Sequence, residues 1–193
     1  ASIYNSDFLN NYITDPSNAN INGGAIYNEG GTLTVVNSNF SGNYTKDYAT
    51  SSTGSNTGGA ISSSGSGSVT NITNSTFTNN SAYGGGAVEA WTGKMTITTS
   101  DFVGNWSNNA GGAIYSAYGA ILEVNTSTFK GNYTSDPSGN GGAIATLDAN
   151  TTINNSIFGG TVREILPKMA ALSTLIRHNF QVQARSPSTV PIS

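Results

Sequence analysis

The stretch Phe40–Thr45, FSGNYT, returns along the chain as FTNNSA at Phe77, FVGNWS at Phe102 and FKGNYT at Phe129, with an earlier relative, FLNNYI, at Phe8. Each Phe is followed three residues on by an Asn: Asn11, Asn43, Asn80, Asn105 and Asn132. A second phrase alternates with the first. GGAI occurs at Gly23–Ile26, Gly58–Ile61, Gly111–Ile114 and Gly141–Ile144, and GGAV at Gly85–Val88. From the first Gly to the next Phe the distance is 17 to 19 residues, whereas from Asn to the next Gly-Gly it runs from 5 to 15. One half of the repeat has nearly fixed length and the other is a tolerant loop. A period of this size signals stacked structural repeats.

Registered on the Phe, the sequence alternates with period two. Ile3, Val35, Ile72, Ile97, Val124 and Ile153 lie five residues before it, and Leu33, Thr70, Met95, Leu122 and Thr151 seven before, with mostly polar residues between. That is a strand with one buried face. Two before each Phe stands a Ser (Ser6, Ser38, Ser75, Ser100, Ser127, Ser156), small enough for a tight corner. Gly, Asn, Ser and β-branched residues dominate, which disfavours helix. The expected fold is all-β: a right-handed parallel β-helix of about six coils, stacked about 4.8 Å apart. Phe8, Phe40, Phe77, Phe102, Phe129 and Phe158 then form an interior column of rings. The five Asn form a second column, whose amides serve turn backbone and one another.

Composition excludes several classes. The 193 residues include 25 Asn, 24 Gly and 50 Ser plus Thr, but only 9% are charged. Disordered chains are usually charge-rich and aromatic-poor, and 18 aromatic residues argue for a packed fold. A net charge of −3 does not suit a nucleic-acid surface. With no cysteine, there is neither a disulfide framework nor a thiolate metal site. No apolar run reaches the roughly 18 residues of a membrane helix.

The alternation of GGA[I/V] with FxxN over residues 1–160 resembles the repeats of chlamydial polymorphic outer-membrane proteins and of adhesin-like surface proteins of methanogenic archaea. The resemblance implies a parallel β-helix, an extracellular or cell-surface location, and no catalytic motif to carry over. It places a repeat domain at 1–160 and a divergent tail at 161–193, since Phe158 is followed by Gly159, Gly160 and Thr161 and FxxN fails there.

A parallel β-helix admits several function classes. Polysaccharide lyases and hydrolases also use β-helices, and need carboxylates clustered with basic groups or paired at working distance. The ten acids (Asp7, Asp15, Glu29, Asp47, Glu89, Asp101, Glu123, Asp136, Asp148, Glu164) read as solvated surface, with no basic partner set beside any of them by the repeat. The lone His178 lies in the tail. No calcium nonapeptide or EF-hand spacing occurs, so no metal, cofactor or catalytic residue is assigned. An ice-binding Thr face is interrupted by Asn71 and Glu123. Of ten glycosylation sequons, Asn43, Asn105 and Asn132 double as inward ladder residues, while Asn39, Asn71, Asn125 and Asn154 fall on outward positions and are the candidate acceptors. Tyr27, Tyr44, Tyr48, Tyr83, Trp91, Trp106, Tyr115, Tyr118 and Tyr133 lie near loops, as packing or as a glycan-contacting surface.

The tail changes character. Residues 1–160 carry a net −6 and residues 161–193 a net +3. Pro167 opens a helical pattern through Met169, Leu172 and Ile176, and Phe180, Val182 and Ala184 alternate like a strand. At the front, Ile3, Ser6, Phe8 and Asn11 already match the repeat, with no cap. These features suggest either a local cap or head-to-tail self-association of the tail with the first coil of another copy, giving filaments. The sequence thus predicts a secreted, non-enzymatic adhesin-like or structural protein, with a glycan or cell-surface ligand, and a glycan-active β-helix enzyme as the alternative.

Overall fold

The computed structural model describes residues 1–14, 21–46, 56–160 and 181–183. The chain winds as a β-solenoid of five complete turns, each contributing one strand to each of four parallel sheets. The first turn is β1 (Ser2–Tyr4), β2 (Asp7–Leu9), β3 (Tyr12–Thr14) and β4 (Ile26–Glu29). The second is β5 (Thr32–Val36), β6 (Asn39–Ser41), β7 (Tyr44–Lys46) and β8 (Ile61–Ser64). The third is β9 (Val69–Thr73), β10 (Thr76–Thr78), β11 (Ser81–Gly84) and β12 (Val88–Trp91). The fourth is β13 (Lys94–Thr98), β14 (Asp101–Val103), β15 (Trp106–Ala110) and β16 (Ile114–Ala117). The fifth is β17 (Ile121–Asn125), β18 (Thr128–Lys130), β19 (Tyr133–Thr134) and β20 (Ile144–Leu147). A sixth turn begins with β21 (Asn150–Asn154) and β22 (Ile157–Gly159), so the expected six coils are five and a part. No helix occurs among the described residues.

We call the sheets A to D in order around a turn. The pairing follows the sequence register: Phe8, Phe40, Phe77, Phe102, Phe129 and Phe158 are successive partners in sheet B. Left-handed residues make the first two corners of a turn, one at each. Between sheets A and B they are Asn5, Asn37, Asn74, Thr99, Thr126 and Asn155, with φ near 50°. Between B and C they are Asn10, Gly42, Asn79, Gly104 and Gly131. Asn and Gly enter this region at least cost, which explains their abundance at single corner positions.

The Gly-Gly corner before sheet D needs both glycines for different reasons. The first is left-handed, at φ 60° in Gly85 and 62° in Gly111. The second lacks room: a Cβ on Gly86 would stand 2.2 Å from the Gly112 carbonyl oxygen and 2.3 Å from that of Trp106. The Ala that follows fills what little space remains, and Ala60, Ala87 and Ala113 are fully buried.

The expected tail helix around residues 167–176 lies outside the described residues, as do Asp15, Asp47, Tyr48, Glu164 and His178. A tail strand, β23 (Gln181–Gln183), pairs in parallel with β21 of the same chain, Val182 opposite Ile153.

Candidate functional site

The interior shows what each repeated residue does. Neighbouring Phe rings stack at 4.6–4.8 Å between centroids, with planes 2–6° apart. Phe40, Phe77, Phe102 and Phe129 are buried; Phe158 continues the column but is 46% exposed at its end. The Asn column is saturated with hydrogen bonds. The Asn80 amide donates to the Phe40 carbonyl at 3.0 Å and to Asn105 Oδ1 at 2.9 Å. Its Oδ1 accepts both the backbone N–H and the side-chain amide of Asn43, each at 2.9 Å. The same pattern runs from Asn11 to Asn132.

A third column was read only as small corner residues. Each Ser hydroxyl donates to the carbonyl two residues earlier and accepts the N–H of the Ser one turn before. Ser75 Oγ donates to Thr73 at 2.9 Å and accepts from Ser38 at 3.1 Å. The corner therefore requires a hydroxyl, not just a small volume.

Of the sequon residues, Asn43, Asn105 and Asn132 are buried, while Asn39, Asn71, Asn125 and Asn154 are half-exposed. Asn154 donates to Asn125 Oδ1 at 3.0 Å on the outer surface.

Two readings of the acids need correction. Glu123 has a basic partner after all: Lys94 Nζ lies 3.1 Å away, reached diagonally from the next strand where both side chains are exposed. Glu89 is not solvated surface. It stands on the outer face of sheet D between Ser62 and Tyr115, yet only 2% of it is exposed. Thr57 donates to Glu89 Oε2 at 2.5 Å and Ser62 to the same oxygen at 2.7 Å. Oε1 is buried without a partner. Burial raises the Glu89 carboxyl from 4.5 to about 7, against the lowering by its two hydroxyl donors.

Next to this carboxyl, across Thr57 and Tyr115, the outer face of turns two to four opens into a depression of about 130 Å³. Thr57, Tyr83, Gly84, Trp91, Asn109, Ala110, Tyr115 and Tyr118 line it. Trp91 and Tyr118 touch at 4.2 Å between centroids with planes tilted 47°. Asn109 donates to the Tyr83 hydroxyl at 2.7 Å. Tyr115 is pushed up to about 12, first by burial and then by the charges of Tyr118, Glu89, Asp148 and Tyr83, so its hydroxyl keeps its proton. The other aromatics lie elsewhere: Tyr12 stacks on Tyr44 at 5.0 Å and Trp106 on Tyr133 at 6.3 Å, along sheet C. Tyr27 is exposed opposite Ser62, and the other described candidates divide into side-chain ladders and one cleft. Among the described residues no group of three or more acidic or His side chains is placed to hold a metal.

The repeat unit resembles a known one. Residues 74–90, 99–117 and 126–147 match the Chlamydia polymorphic membrane protein (Chlamydia_PMP) repeat. Each matched window contains one Phe, its ladder Asn and the following Gly-Gly-Ala corner. No curated protein and no solved structure gives a significant match. The polymorphic membrane protein repeat and the β-solenoid fit a surface-associated, adhesin-like protein.

Proposed function

We propose that the chain is a non-enzymatic, extracellular rod displayed at a cell surface, whose outer sheet faces and corner loops make adhesive contacts. One observation carries this. Each window that matches the polymorphic membrane protein repeat holds the buried Phe, the ladder Asn and the Gly-Gly-Ala corner of one turn, while outward positions such as Ser62, Glu89 and Tyr115 differ from turn to turn. A stack of parallel turns joined at every level by buried side-chain columns is a rigid support, and binding groups on such supports sit on the surface positions the scaffold does not need. Antibody labelling of intact, unpermeabilised source cells, with protease shaving as a control, tests the reading. Protein present in lysates but neither labelled nor shaved would reject it.

The glycan-active alternative is favoured by one feature, the raised Glu89 carboxyl beside a polar and aromatic depression. It is tested by incubating the protein with neutral and acidic polysaccharides and measuring reducing and unsaturated ends. Self-association into filaments draws on the opposite charges of the repeat domain and the tail. Sedimentation velocity of the full chain and of a chain lacking residues 161–193 tests it; equal assembly by both would end it. Glycan attachment at Asn39, Asn71, Asn125 and Asn154 is tested by glycopeptide mass spectrometry, and an occupied Asn43 would contradict it.

A further inference from the structure

We propose that the depression beside Glu89 binds a single uncharged sugar ring, with Trp91 and Tyr118 as its stacking wall and Tyr115, Asn109 and Thr57 as its polar edge. This rests on the surface-associated reading and names the ligand class.

No ring recurs along the sheet at Trp91, whose strand partners are Ser64 and Ala117. Trp91 and Tyr118 each stand one residue beyond a matched window, which end at 90 and 117. Nor does the core need them. The interior of sheet D is filled by Ile61, Val88, Ile114 and their neighbours, and the two rings lie outside it. Tyr118 is 48% exposed. Large rings held at a surface opening present flat apolar faces, which complement the C–H face of a pyranose ring, while hydroxyls around the rim meet polar side chains.

The polar edge is unusual in one respect. Both hydroxyl donors of Glu89 serve Oε2, and Oε1 is enclosed without one. A buried acceptor left unpaired is destabilising. Thr57 lines the depression and contacts Glu89 directly, and Tyr115 is the strand neighbour of Glu89. A sugar hydroxyl in the depression meets Thr57 and Tyr115, the two residues that join it to the carboxyl.

Size and charge narrow the ligand. A volume of about 130 Å³ is well below the roughly 300 Å³ where drug-sized pockets begin, so it suits one ring. The repeat domain carries a net −6, and Asp148 as well as Glu89 acts on Tyr115. Uronic and sulfated sugars are therefore disfavoured.

The test uses the full chain with Trp106→Phe, which leaves Trp91 as the sole indole. Glucose, galactose, N-acetylglucosamine and glucuronate are titrated while tryptophan emission is followed, with calorimetry as a second readout. The expected result is a saturable change with at least one neutral sugar and none with glucuronate. Tyr118→Asn removes a ring while suiting the left-handed backbone there, φ 51°, and should weaken binding at least tenfold; Tyr118→Phe should retain it. Should Tyr118→Asn fail to fold, Asn109→Ala takes its place, with the same expected loss. Silence with every neutral sugar, glucuronate binding as tight, or undiminished affinity in the ring-deleted variant would overturn the proposal. A silent cleft on a surface-labelled protein rejects this inference alone, and sugar binding by an unlabelled protein rejects only the surface reading.

Discussion

The rings of Phe77 and Phe102 lie parallel at 4.8 Å, sheet partners on consecutive turns and both wholly buried. Their centroid separation matches the strand spacing of a parallel sheet, so ring stacking and backbone pairing impose the same repeat. Truncating one ring leaves a cavity that the rigid turns above and below cannot close. Phe77→Ala is expected to cost about 3–5 kcal/mol. Thr78, which points outward on the same strand, should accept Ala within about 0.5 kcal/mol. Urea denaturation of both variants measures the contrast.

Asn80→Leu removes four hydrogen bonds of the amide column at once. The buried Asn43 backbone N–H and side-chain amide both lose their acceptor, and the Phe40 carbonyl loses a donor. At about 1–3 kcal/mol for each buried group left unpaired, the loss should reach about 3 kcal/mol or more. A cost near that of Thr78→Ala would show that the column is ornamental.

The Gly-Gly corner predicts unequal glycines. In Gly86→Ala the new methyl meets two carbonyl oxygens that are themselves backbone, so the loss should exceed about 4 kcal/mol. Gly119 is left-handed, at φ 83°, but has nothing within 4 Å of an added Cβ. Gly119→Ala should therefore cost only the conformational strain, about 1–2 kcal/mol. Thermal midpoints of the two variants give the order directly.

Glu89 makes stability depend on pH in the direction opposite to a salt-bridged acid. Its folded value, about 7, lies above the ordinary 4.5, so between those values the folded protein holds the proton more tightly than the unfolded chain. The contribution is fully present below pH 4.5, falls as pH rises to 7, and stays lost above. The shift corresponds to a change on the order of 3 kcal/mol. Denaturation across pH 4–8 should show this decline in the parent, and Glu89→Gln should remove it.

The Lys94–Glu123 pair should matter little. Both groups are solvent-exposed, and exposed pairs contribute about 0–1 kcal/mol. Glu123→Gln is expected to fall in that range, and its difference from the parent should shrink as salt is added.

Much of the scaffold was legible because a solenoid writes its cross-section into the chain once per turn. Phe77 and Asn80 could be placed by comparing them with Phe102 and Asn105, without knowing the structure. The Ser hydroxyl column was half-read: its position was evident, but a hydrogen bond spanning two turns leaves no mark beyond the residue type. Glu89 was missed because the Phe register says nothing about the outer face of sheet D. Registering instead on the Gly-Gly corner sets Glu89 between Ser62 and Tyr115, a hydroxyl below and a ring above. The cleft was illegible for a related reason. Thr57 ends a loop of variable length, and Trp91 and Tyr118 follow their Gly-Gly corners at spacings that the repeat holds nearly constant without fixing the residue type.

The amide and hydroxyl columns also carry a direction. In both, the donor sits on one turn and its acceptor on the next, from Asn11 through Asn132 and from Ser6 through Ser156. Aligned in this way, the group dipoles reinforce one another along the axis. One end of the column presents oxygen lone pairs and the other presents N–H groups, so the rod is a vector. Two such rods meeting with like ends would oppose acceptor to acceptor or donor to donor. Any further turn, whichever chain supplies it, can extend the columns only by travelling in the same sense.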